Sequence, residues 1–252
     1  MTLITRRTIV TGGALGAGLL LSGCDRLAAQ PEFRKILFSG EKINRGLQRA
    51  LSNRNSLAQE FSPDERSRFF RTNGTFNPNT ADYNQHVAEH FANWRLQVGG
   101  LVARPLSLGL TDLATMPQRA QITRHDCVEG WSAIAKWQGP VLGTILKAAG
   151  LRDAARYVVF TCADLYGGKP YYESIDLVDA FHPQTILAWA LNDQRLPVGN
   201  GAPLRLRVER HLGYKHAKYV MRVDAVASLA EIGLGKGGYW EDHVDYDWYA
   251  GI

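Results

Sequence analysis

Apolar and polar residues alternate through Trp94-Arg95-Leu96-Gln97-Val98, the period of a strand with one buried face, and Gly99-Gly100 turns the chain afterwards. Further strands are predicted near residues 120–124, 157–162, 187–191, 204–208 and 219–227. Residues 32–72 read as helical: Leu47 and Leu51 stand one turn apart, and Ser62-Pro63-Asp64-Glu65 is a helix start with Ser62 capping and Pro63 in the first turn. A polar, Asn-rich stretch over 73–84 interrupts the pattern. Helices are also predicted around Leu113, with Thr111 as cap, and over 140–149, closed by Gly150. Short strands, interspersed helices and long loops without a regular strand–helix repeat predict an α+β fold, not a doubly wound sheet.

The first apolar run, residues 14–21, is too short to span a bilayer as a stable helix. Thr5-Arg6-Arg7-Thr8-Ile9-Val10 before it is a twin-arginine pattern, which marks the segment as an export signal. Leu21-Ser22-Gly23-Cys24 resembles a lipoprotein cleavage box that would leave Cys24 lipidated at the mature N-terminus; plain cleavage near Ala28-Ala29 is the alternative. The expected organisation is a signal peptide over 1–23, a tether and N-terminal helical region over 24–72, and one large domain over 73–252. Gly12, Gly13, Gly16 and Gly18 mimic a nucleotide-binding loop but follow no strand.

Removing Arg6 and Arg7 with the signal lowers the formal charge from +5 to +3, since no acidic residue leaves with them. So small and dispersed an excess predicts no nucleic-acid partner. No second apolar run is long enough to cross a membrane, so the expected membrane contact is the lipid alone.

Beyond Cys24 the chain has Cys127 and Cys162. In an oxidising compartment two cysteines pair, so a Cys127–Cys162 disulfide in a non-catalytic binding or assembly lipoprotein is one reading. The other is a metal role for Cys127. Arg124-His125-Asp126-Cys127-Val128-Glu129-Gly130-Trp131-Ser132 crowds charged and aromatic groups around that thiol, whereas Val158-Val159-Phe160-Thr161-Cys162 reads as a buried strand ending in an inert small residue. Downstream, Asn200-Gly201-Ala202-Pro203-Leu204-Arg205 reads as a tight turn feeding a strand whose Arg205 can hold an anion.

Together the Cys127 and Asn200 runs resemble the molybdopterin-binding domain of the sulfite oxidase family, in its periplasmic bacterial branch that includes protein-methionine-sulfoxide reductases. The resemblance covers about residues 73–227. It implies a mixed-sheet α+β domain, the Mo-molybdopterin cofactor, and oxygen-atom transfer, with reduction of a sulfoxide or similar oxo compound as the favoured direction. It also implies that Cys127 binds molybdenum, that Thr161 and Asn200 contact the cofactor, and that Arg205 and Lys218, with His216 and Ala217 beside it, hold the cofactor phosphate. Asn73 matches an upstream cofactor-lining asparagine, but Phe76 and Asn77 stand where reductases carry a Tyr-Glu pair, so the polar contacts there must differ. Arg71 resembles a substrate-binding arginine of sulfite-oxidising members. The sequence shows no haem-attachment, iron–sulfur, flavin or nicotinamide motif, so the expected electron partner is a separate membrane haem protein or another periplasmic carrier. The expected location is the periplasm, on the outer face of the cytoplasmic membrane.

Remaining motifs carry less. His86 and His90 stand at helical spacing without a third ligand, and His211 flanks the Gly213 loop with His216. The Gly233-Leu234-Gly235-Lys236-Gly237-Gly238 cluster reads as a tail turn, and the aromatic, acidic run over 239–249 as a surface segment or the rim of an electron-transfer face.

Overall fold

The strand alternation that starts at Trp94 leads into a five-stranded sheet. The computed structural model describes residues 30–252; the twin-arginine segment, the cleavage box and Cys24 lie outside the described residues. Contacts divide the chain between Gln48 and Arg49. The described part of the first unit is helical and belongs to α1 (Pro31–Leu51), whose last residues fall in the second.

In the second unit, β1 (Leu96–Gly100), β2 (Leu106–Leu108), β5 (Tyr157–Tyr166), β6 (Lys169–Asp176) and β11 (Val220–Val226) form a sheet in the order β2-β1-β11-β5-β6. Its pairs are antiparallel except β1 with β11, which run parallel. A second sheet, β3-β4-β8-β9, is dominated by the hairpin of β3 (Gln118–Cys127) and β4 (Trp131–Pro140), and ends with β8 (Ala190–Leu191) and β9 (Gln194–Arg195). β7 (Ile186–Ala188) pairs with β10 (Arg205–Arg207). The α+β expectation therefore holds.

The larger core gathers Leu96, Val98, Phe160 and Val223 from the five-stranded sheet. Against them packs α4 (Leu142–Ala149), which buries Leu142, Ile145, Leu146 and Ala149 at i, i+3, i+4 and i+7 and stops at Gly150 in the left-handed region. Burial of Leu146 stabilises by about 1.5–3 kcal/mol, and Leu146→Ala would cost about 2–5 kcal/mol because a cavity remains. The smaller core places Phe70 against Ala133, Ala135 and Trp137 of β4.

Helix boundaries differ from the sequence expectation for physical reasons. α1 ends at Leu51, and over 52–72 only a three-residue 3-10 turn, Pro63–Glu65, retains the Ser62 capping box. That stretch instead lends its backbone to the hairpin: Phe61 N–H donates to Ile122 O at 2.9 Å and Ser67 N–H to Ile134 O at 2.9 Å. Residues 49–72 accordingly belong with the second unit. α3 (Leu110–Thr115) is capped at Gly109, whose N–H reaches Asp112 Oδ2 at 2.8 Å, and not at Thr111. The Asn-rich stretch runs into α2 (Ala81–Ala88), capped by Thr80, which precedes β1. α5 (Leu177–Ala180) and α6 (Tyr239–Val244) complete the helices.

Candidate active-site cleft

The β3–β4 hairpin positions the thiol. Cys127 pairs with Trp131, leaving Val128, Glu129 and Gly130 as a three-residue loop, and Gly130 takes a φ of +85° that a side chain would resist. Cys127 is half-buried at the tip and opens onto a cleft of about 300 Å³. Glu129 ties the tip in place, accepting from Trp131 Nε1 at 3.0 Å and from Gly74 N–H at 3.3 Å. Burial pushes the Cys127 thiol up against a hydrogen bond from the Glu129 backbone; the Glu129 charge adds to the rise, and the nearby Arg205 charge pulls the other way.

Behind the cleft lie two cations. Arg205, on β10, is completely buried; it donates to Asn200 O at 3.2 Å and Asn73 Oδ1 at 3.2 Å, while its Nε has no partner. Burial and the neighbouring Arg207 lower its pKa to about 9. Lys218 Nζ donates to Asn73 O at 2.7 Å, Gly199 O at 2.8 Å and Thr75 O, a trio of acceptors only an ammonium can serve. Burial, reinforced by Arg205, lowers its pKa to about 7, against the pull of Asp164. Gly201 is required beside it: a Cβ there would lie 2.9 Å from Lys218 Cβ, at a φ of +111°.

Two buried imidazoles complete that wall. Arg207 can only donate, so His125 Nδ1 accepts from it at 3.0 Å, and His216 Nε2 donates to Val208 O and His211 O, each at 3.1 Å. Their rings meet at 5.1 Å. Burial, with the adjacent arginines, holds both well below the usual histidine range, so both are neutral. Opposite, Asp164 is buried with Oδ1 unpartnered, and burial raises its pKa to about 6. Tyr166, Tyr171, Tyr214, Trp240 and Tyr246 form the aromatic lining.

Of the residues singled out in the sequence, the cleft brings together Asn73, Cys127, His216, Ala217 and Lys218. Asn200 and Arg205 stand one layer behind, reaching the cleft through Asn73. Thr161, Phe76 and Asn77 are not in the lining: Thr161 sits in the ladder between Arg222 and Tyr172, Phe76 is 68% exposed, and the Asn77 side chain caps Asn79 N–H. The residues of β5 that line the cleft are Asp164 and Tyr166, and an irregularity in the β5–β6 ladder falls between Thr161 and Leu165. His211 points away, bound to Asp179 Oδ2 at 2.9 Å. Arg71 is exposed, with its carbonyl near Asn200 Nδ2 at 3.5 Å.

Sequence reasoning missed Glu129 as a strut, and Asp164, Thr75 and the tyrosines as lining; only the acidic, aromatic character of these segments could have signalled them. Cys127 and Cys162 are both free thiols, the second buried on β5, so the contemplated disulfide is not formed. The glycine cluster near the C-terminus gives its Leu234 and Lys236 N–H groups to Asp242, at 2.8 and 2.9 Å, not to an anion. Among the described residues no group of three metal-binding side chains occurs, so His86 and His90 remain without a third ligand. A larger apolar pocket of about 510 Å³ beside Phe91, Leu110, Trp189 and Pro203 contains no thiol or carboxylate, which leaves the chemistry in the smaller cleft.

A thiol facing buried cations that, among the described residues, donate to no carboxylate is a site for an anionic, sulfur-coordinated redox cofactor, and the donor set fits molybdopterin: a soft ligand at the mouth and, behind, an orphaned guanidinium Nε and the charge of the Lys218 ammonium for its phosphate. The chain belongs to the family of the oxidoreductase molybdopterin binding domain, whose sequence profile matches residues 84–230. It is an oxidoreductase, and its cofactor is Mo-molybdopterin. A provisionally named protein-methionine-sulfoxide reductase subunit of Azospira oryzae is 37% identical over 94% of this chain and 84% of its own length. The protein-methionine-sulfoxide reductase catalytic subunit of Xanthomonas axonopodis pv. citri is 38% identical over 55% of this chain, which spans 46% of that protein. The sulfane dehydrogenase SoxCD of Paracoccus pantotrophus shares the fold, with a TM-score of 0.50 and 21% identity over 54% of this chain and 39% of its own.

Proposed function

We propose that this enzyme reduces a sulfoxide or similar oxo substrate, small or protein-borne, with Cys127 as the protein's ligand to molybdenum. The observation that carries the reading is the Cys127 thiol opening on a cleft whose buried Arg205 and Lys218 have no carboxylate partner. The names of the Azospira and Xanthomonas relatives support reduction of a sulfoxide. Bound there, the cofactor supplies two-electron oxygen-atom transfer, and the net reduction of a sulfoxide consumes two electrons and two protons and yields a thioether and water.

The chain's own residues orient and protonate. Asn73 is fixed by Arg205 at the cleft wall, the neutral His216 contributes a buried lone pair at Nδ1, and Asp164 holds a proton near pH 6 on a carboxyl facing the cleft. The aromatic lining excludes water from the far wall. Electrons come one at a time from a separate haem protein of the membrane or another periplasmic carrier, and lipid on Cys24 retains the enzyme on the outer face of the cytoplasmic membrane, where tethering raises the partner's effective concentration.

The test is purification of the native protein followed by metal analysis and assay of methionine sulfoxide reduction with a reduced dye. Near-stoichiometric molybdenum with turnover is expected; a metal-free protein, or a loaded one that only oxidises sulfite, contradicts the reading. Cell fractionation tests the location: wild type should sediment with the inner membrane, and a soluble periplasmic chain beginning near Gln30 would refute the anchor.

A further inference from the structure

The segment over 231–247 carries an exposed apolar patch on the outside of one cleft wall. Leu234, Val244 and Tyr246 are 71%, 49% and 36% exposed, and the Leu234 N–H is fixed to Asp242 of α6 at 2.8 Å. From the inner side, α6 and the turn after it give Trp240, Val244 and Tyr246 to the cleft lining, so one layer of chain, about 10–12 Å for a helix, separates the cleft from this surface. Rings bridge that layer: the cleft-lining Tyr166 lies 4.8 Å from Tyr239 between centroids, and Tyr239 stacks at 4.1 Å on the exposed His243. Lys236 is the only lysine or arginine after Arg222, and it pairs with Asp245 at 2.5 Å, so Glu231, Asp242 and Asp247 leave the rim of the patch negative.

We propose that this patch is where the electron donor docks, and that the donor is a one-electron carrier protein with a basic rim around its own redox group. The inference rests on the function proposed above and adds to it the docking face and the charge of the partner. Redox encounters bury little surface, and complementary charge is what brings the two centres together quickly. Here an apolar centre rimmed by carboxylates lies one layer from the cofactor cleft, in a chain without a haem, flavin or iron–sulfur motif to relay electrons from elsewhere. A polypeptide substrate is the other occupant such a patch could take. The negative rim and the ring path favour the carrier, because a sulfoxide is uncharged and needs neither. Each encounter delivers one electron, so the carrier is oxidised twice for every sulfoxide reduced, and the two protons come from solvent.

The test has a binding arm and a rate arm, both on the full-length holoprotein. In the first, carbodiimide cross-links it at low salt to mitochondrial cytochrome c, a basic haem protein, and mass spectrometry maps the bonds. Expected are amides at Glu231 or Asp247 that disappear at high salt; cross-links confined to another face overturn the proposal. In the second, Glu231→Lys and Asp247→Lys, both exposed and outside the cleft lining, are compared with the parent protein in methionine sulfoxide reduction. The donor is either reduced inner-membrane vesicles of the cells that make the protein or a small reduced flavin. Expected is a rate at least several-fold lower with vesicles, with flavin-driven turnover and molybdenum content unchanged. An unchanged vesicle rate in both variants overturns the docking face, and a raised KM for a protein-borne sulfoxide with flavin as donor makes the patch a substrate surface instead. A parent protein that reduces no sulfoxide with either donor refutes the proposed function, while the cross-link map still decides the face.

Discussion

Within one short stretch of chain, residues 205–218, two pairs of buried cations are treated in opposite ways. In the inner pair, Arg207 is matched by Glu209 at 2.6 Å, and Lys215 sits between Glu173 and Glu241 at 2.5 and 2.7 Å, all with fully buried side chains. In the outer pair, at the cleft, Arg205 and Lys218 donate only to amide and backbone oxygens. A buried cation without a counter-charge costs several kcal/mol, so a fold that balances one pair and leaves the other unbalanced has reserved the second for an anion that arrives with the cofactor. The difference separates residues that hold the fold from residues that hold the ligand.

The strongest way to break this comparison is to remove one cation from each pair. Lys215→Met or Arg207→Ala leaves buried carboxylates unpaired and should lower stability by about 3–5 kcal/mol in denaturant unfolding. Arg205→Ala should leave the stability of the cofactor-free protein unchanged or raised, yet reduce molybdenum content at least tenfold. Equal destabilisation by both kinds of variant would erase the distinction.

The pH dependence of stability sharpens it further. Asp164 ionises at about 6 in the folded state because it is buried, above the usual carboxylate value of about 3.9. The folded state thus binds this proton more tightly, and its contribution to cofactor-free stability grows as pH falls from 7 to 4. Asp164→Asn should raise stability by up to about 3 kcal/mol at pH 7 and by nothing at pH 4. Asp179 has the opposite sign: burial pushes it up, but the His211 hydrogen bond and charge, with Arg49 and Arg210, overcome this and hold it well below the ordinary range. Its stabilisation is present above about pH 4 and is lost as pH falls further, so Asp179→Asn should destabilise at pH 7 and flatten the acid limb of the unfolding curve.

Much of this was legible in the sequence where a residue's role depends on its neighbours along the chain. The strand that leads to Cys127, the Gly150 stop and the turn before Arg205 all have local signatures. β4 was not legible because its inward positions are Ala133, Ala135 and Trp137, and alternating alanine gives a weak hydrophobic period. Asp164 was missed because its significance comes from burial beside residues remote in sequence. The long helix expected over 32–72 failed beyond Leu51 because Phe61 and Ser67 give their backbone N–H groups to the hairpin.

The smallest expected effect concerns the second thiol. Cys162→Ser places a hydroxyl in a packed strand and should cost about 1–3 kcal/mol, with molybdenum content and turnover retained. An equal loss of metal at both cysteines would mean that the two thiols act together.

The most direct test of the central claim is X-ray absorption at the molybdenum edge on the wild-type protein and on Cys127→Ser. The account predicts that the variant loses one sulfur from the metal's coordination while its far-ultraviolet circular dichroism is unchanged. An identical sulfur count in both proteins would show that Cys127 does not bind the metal.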